Sequence, residues 1–337
     1  MNKINKINII YLLTVLISVL GSFITTYLYA VTDNMIYTLL ASQILLILPA
    51  LYYIISNKFN LRKTIRFKKV KTSNIFLIIL FSYMIIPLMS LINLVSMLFV
   101  KNDIQNTVQL IIEQNPLYLS LLTIALIPCL FEESVYRGIF YNEYRKVNVT
   151  KGILLSAFLF ALLHMNFNQF FYAFVMGVIF VLLIEATDSI VSSMIMHFIL
   201  NGSSVFNAFM LPRLQDILSE IDPTYANDLA ESMNVNFTRT ELLVTISSYA
   251  PMALITTIIA VFVFIVIAKN SNRFDHIKQV FKGDYKEPIT ESQTEDSNFS
   301  ESELLLEEKE IEKRMISIPL YFGIIICIVL MVINEFV

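Results

Sequence analysis

Long apolar runs, separated by shorter polar segments, make up most of the chain. No run alternates apolar and polar residues as a membrane barrel strand does, whereas about 20 apolar residues suffice for a helix to cross a bilayer. We therefore predict an all-α, polytopic membrane helical bundle with about 8–9 transmembrane helices. Nine runs qualify, at roughly 7–30, 35–55, 75–100, 117–136, 152–165, 170–187, 190–211, 242–268 and 316–337. The fifth run is short, which favours a tilted or only partly inserted helix.

The composition agrees with a membrane protein. Of the 337 residues, 56% are hydrophobic and 15% are charged, whereas about a quarter of the residues of a soluble domain are charged. The two cysteines, Cys129 and Cys327, both lie inside apolar runs. We interpret them as buried hydrophobic residues and not as a disulfide pair.

Basic residues are concentrated in a few of the polar segments. The loop 57–74 carries seven Lys or Arg residues and no acid, which by the positive-inside rule predicts a cytoplasmic location. The N-terminus and the basic segments 137–151 and 269–315 then fall on the same side. We thus predict a multi-pass protein of the cell membrane with a cytoplasmic N-terminus. Topology and anionic lipid explain the basic run 57–71, so the lipid bilayer is an expected partner and nucleic acid is not.

Charged residues inside the apolar runs are few, and one group stands in the stretch CLFEESVYRGIF. Glu133 and Arg137 are four residues apart, so in a helix they share a face and suit an ion pair. Glu132 is turned about 100° around the helix axis and has a different environment. Arg137 could keep one carboxylate ionised while the other exchanges protons. The alternative is that both acids mark the cytoplasmic end of the span.

Two further motifs each contain a histidine. The stretch FLFALLHMNFN places His164 four residues after Phe160, and MIMHFILNGSS places Asn201 four residues after His197. Each pair lies on one helical face. A lone histidine in an apolar helix is commonly a hydrogen-bonded structural residue. Two histidines in successive membrane segments favour a polar cavity that they share with the paired acids. The third histidine, His276, is assigned no role.

Together these motifs carry a resemblance to a known family. In chain order they are EExxxR (Glu132, Glu133, Arg137), FxxxH (Phe160, His164) and HxxxN (His197, Asn201). The set resembles the CPBP family, which comprises the CAAX proteases and bacteriocin-processing enzymes and is also called the Abi family of intramembrane proteases. The resemblance implies an intramembrane endopeptidase. Its expected partner is a membrane-associated peptide or protein substrate, as in CAAX or leader-peptide processing.

The resemblance also implies roles for these residues. Glu132 would be the general base that activates water, assisted by His164. His197 and Asn201 would stabilise the oxyanion or help to hold the catalytic centre. The remaining acid and the arginine of the EExxxR motif would position the site and balance its charge. The adjoining basic segment 137–151 places the active site in the cytoplasmic half of the membrane.

The residues leave the use of a metal open. Glu132, His164 and His197 match the ligand set of catalytic zinc sites, in which one position is left for water. A metal-free glutamate mechanism uses the same side chains, and the HExxH motif is absent. Family convention favours the term metalloprotease, with Zn2+ as the expected cofactor if a metal is used.

Two other functions are compatible with the same residues. A non-proteolytic bacteriocin-immunity or scaffold protein could use the polar cavity to bind a peptide or a partner helix. A proton-coupled transporter could use Glu132, Glu133 and His164 as a relay. No nucleotide-binding motif supports nucleotide-driven transport. Glu185 and Asp188 are interpreted as charges at the end of a span.

We accordingly divide the chain into six parts. They are N-terminal transmembrane helices with the basic loop (1–100), the catalytic core (115–205), an extracytoplasmic loop (212–241), a transmembrane helix (242–268), a charged cytoplasmic insert (269–315) and a C-terminal transmembrane helix (316–337). The first half of the acidic stretch 287–314 is predicted to be disordered, and the second half could form a charged helix.

Overall fold

The computed structural model describes residues 3–102, 104–222, 224, 237–283, 285 and 315–336. Within these ranges the chain is helical and contains no strand. The predicted acidic stretch 287–314 and the residues 225–236 of the predicted outer loop lie outside the described residues.

Eight helices of the described chain are long and apolar enough to cross a membrane. They are α1 (Lys3–Thr32), α2 (Met35–Ser56), α4 (Thr72–Ser96), α6 (Leu117–Tyr144), α8 (Phe167–Thr187), α9 (Ile190–Ile221), α10 (Arg239–Asn270) and α12 (Ile318–Phe336). Four shorter helices connect or flank them, namely α3 (Leu61–Thr64), α5 (Ile104–Gln114), α7 (Val149–Leu162) and α11 (Phe274–Phe281). The prediction of an all-α polytopic membrane bundle is confirmed.

Two helices extend beyond the spans predicted from the sequence. The fourth span was expected to end near residue 136, and α6 continues to Tyr144. The seventh span was expected to end near 211, before Pro212, yet α9 continues through this proline to Ile221. Neighbouring helices and local adjustments of the backbone let membrane helices accommodate a proline. The first ten residues of the predicted loop 212–241 are therefore helical.

The helix α6 is continuous but not uniformly α-helical. Two of its stretches, Leu121–Leu126 and Glu133–Tyr141, are wound as π-helix. Such wider turns are uncommon and are frequently found at functional sites. The second stretch begins at one of the two paired acids.

Side-chain contacts show which segments meet at each end of the bundle. At one end, which we call the Glu185 end, Arg66 and Arg145 both bond to the carboxylate of Glu185 near the end of α8. At the opposite end, the backbone N–H of Lys101 after α4 donates to Glu335 near the end of α12. Several basic segments predicted to share one side of the membrane thus meet at one end. Which side this end faces stays a prediction.

A close approach of α7 and α8 defines one wall of the bundle interior. A Cβ atom on Gly177 would lie 2.9 Å from Cβ of Ala157 and 3.3 Å from Nη2 of Arg137. Only a residue without a side chain lets the two backbones come this close beside the arginine. The glycine therefore fixes where α7 and α8 stand relative to α6.

Candidate active site

The two adjacent acids lie inside α6 and not at its end. The helix continues beyond them to Tyr144. That the acids mark the cytoplasmic end of the membrane span stays an alternative. The side chain of Glu133 is fully buried, whereas that of Glu132 keeps 15% of its surface exposed. The two carboxylates therefore have different environments, as their positions in the sequence suggested.

Glu133 is paired with two basic groups. Its Oε1 lies 3.1 Å from Nη1 of Arg137, so the predicted ion pair is present, and 3.0 Å from Nδ1 of His197. The guanidinium of Arg137 is buried between two aromatic rings. Its central carbon lies 4.1 Å from the ring centroid of Phe160 and 5.0 Å from that of Phe180. These cation–π contacts and the carboxylate offset the cost of burying the arginine.

His197 is engaged at both ring nitrogens. Because a carboxylate only accepts, Nδ1 donates to Glu133, and in the neutral ring Nε2 then carries the lone pair. That nitrogen lies 3.2 Å from the amide nitrogen of Asn201, which donates to it, and 3.9 Å from the carboxylate of Glu132. The amide of Asn201 also donates to the carbonyl of Ile124 at 3.0 Å. Both amide hydrogens of Asn201 are thus in use, which suits a residue that holds the centre.

His164 lies just past the end of α7, in the turn that leads to α8. Its Nδ1 is 2.9 Å from the carbonyl oxygen of Phe160, so Nδ1 must donate and Nε2 of the neutral ring is an acceptor. The ring centroid of Phe160 lies 4.8 Å from that of His164 and 6.5 Å from that of His197. Phe160 therefore packs against both imidazoles and not only against its own helix.

All six residues predicted for the site are gathered in one cluster. They come from three elements, α6, the turn after α7, and α9, and are Glu132, Glu133, Arg137, His164, His197 and Asn201. The geometry brings these side chains together. Their roles in catalysis stay predictions.

The sequence did not point to Gln43 in α2. Its amide Nε2 donates to Oε1 of Glu132 at 2.8 Å, which ties a fourth element to the cluster. The amide is uncharged and lies 89 residues before the acid, so neither a charge motif nor a spacing could identify it. The only signal was a polar residue inside an otherwise apolar run.

Several buried polar atoms at this cluster have no hydrogen-bond partner among the described residues. They are Oε1 of Gln43, Oε2 of Glu133, the hydroxyl of Tyr136, and Nη1 and Nη2 of Arg137. The contact between Arg137 and Glu133 is an ion pair without hydrogen-bond geometry. Buried polar groups in native proteins are nearly always satisfied by protein or water. The cluster therefore has the capacity to bind water or a polar group of a substrate.

The described residues contain no group of three His, Cys, Asp or Glu side chains placed to hold a metal ion. The predicted set of Glu132, His164 and His197 lies in one cluster, but Nδ1 and Nε2 of His197 already contact Glu133 and Asn201. In this conformation the donor set does not fit a zinc ion, so no catalytic step is derived through a metal.

A second cluster of buried charges lies at the Glu185 end. One carboxylate oxygen of Glu185 contacts Arg66 at 2.7 Å and the hydroxyl of Tyr141 at 2.9 Å. The other contacts His276 at 2.6 Å and Arg145 at 3.1 Å. Glu185 is fully buried and lies two residues before the end of α8; its interpretation as an end-of-span charge stays a prediction. His276, to which the sequence assigned no role, is one of its partners.

Comparison with known proteins agrees with the motifs. Residues 114–203 match the family model of type II CAAX prenyl endopeptidase Rce1-like proteins. The resemblance to the CPBP family is thereby confirmed for this segment, and a CAAX-type intramembrane endopeptidase is supported in general terms. No curated protein and no solved structure matches the chain.

Proposed function

We propose that this protein is an intramembrane endopeptidase in which Glu132 activates water for attack on a peptide bond. The observation that carries this proposal is the difference between the two adjacent acids. Glu133 is buried and ion-paired, whereas Glu132 is partly exposed and has one amide donor. A general base needs a lone pair that water can reach. Glu132 meets this requirement and its neighbour does not.

The proposed reaction is a hydrolysis. Glu132 takes a proton from water, and the resulting hydroxide forms a bond to the carbonyl carbon of the substrate. The C–N bond then breaks, and the proton held by Glu132 passes to the leaving amine. His164 has its Nε2 available as an acceptor because its Nδ1 is bonded to the carbonyl of Phe160. It would orient the water together with Glu132.

The remaining residues are assigned to positioning and to charge balance. Arg137 neutralises Glu133, and Glu133 fixes the ring of His197 through Nδ1. Asn201 holds the opposite nitrogen of that ring. Stabilisation of the oxyanion by His197 would require a proton on Nε2 in place of the contact with Asn201. We therefore assign Asn201 to positioning first.

The proposal extends to the substrate and the location. The substrate would be a membrane-associated peptide or protein, and CAAX or leader-peptide processing is its expected class. The protein would lie in the cell membrane with the N-terminus and the Glu185 end in the cytoplasm. Fusion of a compartment-specific reporter before Lys3 tests this orientation. Metal analysis of the purified protein tests whether Zn2+ is used, and one equivalent of bound zinc would support a metalloprotease.

The decisive experiment compares the peptides of cells that express the wild type, Glu132→Gln or Glu143→Gln. Glu143 is a matched control because it is a buried acid of the same helix, paired with Lys146 outside the cluster. We expect cleavage products in the wild type and in the control and none in Glu132→Gln. Products that persist in Glu132→Gln would contradict the proposal. A cellular effect without any product would favour a binding function.

A further inference from the structure

The connection between α2 and α4 forms a basic cleft at the Glu185 end. The cleft has a volume of about 500 Å³ and is lined by five Lys or Arg residues, with Asn60 and Phe67 between them. Two of the basic side chains, Arg66 and Lys68, are already paired with Asp188. The exposed side chains of Arg62 and Lys69 add positive charge to the rim. The cleft is therefore suited to an anion.

An apolar groove adjoins this cleft. It has a volume of about 260 Å³ and lies between α2, the α3 segment, α6 and α9. Ile47 and Leu51 of α2 form one side, Leu130 of α6 forms another, and Met194 of α9 contributes to the lining. The side chains that line the groove are almost all apolar, so it is suited to a hydrocarbon chain.

Phe67 lines both the cleft and the groove. The two spaces are therefore neighbours, one positively charged and one apolar. Phe67 is 43% exposed and Leu61, which also lines the groove, is 46% exposed. Exposed apolar side chains among basic residues are typical of segments that lie at the surface of a membrane. An amphiphile with an anionic headgroup would match the whole surface.

Contacts with the bundle hold the connection in place. Arg66 is buried and has a left-handed backbone conformation (φ 56°), and its guanidinium bonds to Glu185 and Asp188. The carbonyl of Lys68 accepts a hydrogen bond from the hydroxyl of Ser189 at 2.5 Å. The backbone N–H of Ile190 donates to the carbonyl of Arg66 at 3.2 Å. The cleft is thus formed before any ligand binds, which lowers the entropic cost of binding.

We propose that this surface is a binding site for one anionic phospholipid. The phosphate lies in the basic cleft beside Arg62 and Lys69, and an acyl chain occupies the apolar groove beyond Phe67. Charge complementarity selects the headgroup, and the continuity of cleft and groove selects a lipid over a soluble anion. The proposed lipid site does not rest on peptidase activity, because no residue of the active-site cluster lines the cleft or the groove.

The test measures lipid binding to the full chain purified in detergent. The protein is titrated with phosphatidylglycerol or with phosphatidylcholine of the same acyl chains, and native mass spectrometry counts the bound lipids. We expect one saturable phosphatidylglycerol, bound at least about tenfold more tightly than phosphatidylcholine. Equal binding of the two lipids would overturn the proposal. Displacement by millimolar inorganic phosphate would also overturn it, since it would indicate a site for a free anion.

Two pairs of variants separate the site from the general positive charge of this end. Arg62→Gln with Lys69→Gln is expected to weaken phosphatidylglycerol binding by about tenfold or more. The control, Lys278→Gln with Lys282→Gln, removes two exposed charges from the same end and should leave binding unchanged. Equal losses of phosphatidylglycerol affinity in both pairs of variants would show that net charge alone explains the binding, and they would overturn the proposed site.

The groove is tested by Ser134→Leu, which adds an apolar side chain to its wall. This variant should weaken the binding of both lipids to a similar extent, because the groove accepts the acyl chain that the two lipids share. Unchanged binding would contradict an acyl chain in the groove. The labelling rate of the two buried cysteines, Cys129 and Cys327, checks that each variant is folded.

Discussion

The two clusters of buried charge differ in how completely their carboxylates are bonded. At the Glu185 end, three arginines, a tyrosine and a histidine contact the two oxygens of one carboxylate at 2.6–3.3 Å. In the active-site cluster, Glu132 has one amide donor within hydrogen-bond distance and Oε2 of Glu133 has none among the described residues. Burial and ion pairing are common to both clusters. Among the described residues, a carboxylate oxygen without a hydrogen-bond partner is found in the active-site cluster, whereas both oxygens of Glu185 are bonded.

This difference indicates that a fully bonded carboxylate serves stability, whereas a partly bonded one is suited to a reaction. A buried carboxylate surrounded by bases joins several elements, and removing it leaves buried positive charge without compensation. A partly bonded carboxylate costs stability but keeps a lone pair for a reaction. We therefore expect opposite phenotypes when the same substitution is made in each cluster.

The largest expected effect comes from exchanging one acid for its amide in each cluster. Glu132→Gln should reduce cleavage by about 100- to 10,000-fold with the thermal stability unchanged, because only the base is removed. Glu185→Gln should lower the free energy of unfolding by about 3–5 kcal/mol, because the basic residues around it lose their counter-charge. Activity assays measure the cleavage rate. Thermal unfolding in detergent, detected by cysteine labelling, measures the stability. A large loss of stability in Glu132→Gln would contradict the proposed difference between the two clusters.

A smaller effect is expected at the wall between α7 and α8. Gly177→Ala should cost about 1–3 kcal/mol of unfolding free energy, because the new Cβ atom would overlap Ala157. Gly202→Ala is the matched control on α9, since its Cβ atom would meet its nearest neighbours at 3.8 Å and 3.9 Å. The control should be neutral or slightly stabilising. Thermal unfolding measures the stability of the two variants. Equal losses of unfolding free energy would contradict a role for the close approach of α7 and α8.

The next effect concerns Gln43, which donates a hydrogen bond to Glu132. Gln43→Leu should lower kcat by about tenfold with little change in KM, because one charge-assisted hydrogen bond to Glu132 is lost. Ser42→Ala is the control, since the hydroxyl of Ser42 bonds to the carbonyl of Leu39 in its own helix. Steady-state kinetics separate kcat from KM. A change in KM alone would assign Gln43 to substrate binding.

The smallest expected effect is a pH dependence at the Glu185 end. Burial alone would raise the pKa of Asp188, but Arg66 and Lys68 lower it below its ordinary value of 3.8. A lowered pKa in the folded state stabilises the fold above the unfolded value, and this contribution is lost as the pH falls through the folded pKa. At pH 7 the free energy of unfolding of the wild type should exceed that of Asp188→Asn by about 1 kcal/mol. The difference should shrink below about pH 4, as thermal unfolding at several pH values will show.

The sequence predicted more of the active-site cluster than of the Glu185 cluster, for a physical reason. Glu132, His164 and His197 each belong to a short motif, and their spacing along a helix brings the members of a motif to one face. The partners of Glu185 come from separate segments, such as His276, which lies 91 residues away. Packing of whole helices, which no local pattern encodes, brings them together. The fold class followed from apolar length alone, whereas the end of α9 did not, because the helix continues through Pro212, a residue type that usually ends one.

The helix α6 contributes to both clusters, and its π-helical stretch Glu133–Tyr141 holds residues of each. Glu133 and Arg137 belong to the active-site cluster, and Tyr141, at the end of the stretch, donates to Glu185. Each residue of an α-helix adds about 100° of rotation, and a residue of the wider π-helix adds somewhat less. A single-residue deletion or insertion in the stretch would thus turn one cluster away from its partners while the other stayed in place. We therefore expect an insertion or deletion among these nine residues to break the contacts of one cluster, whereas a substitution keeps the relative orientation of both.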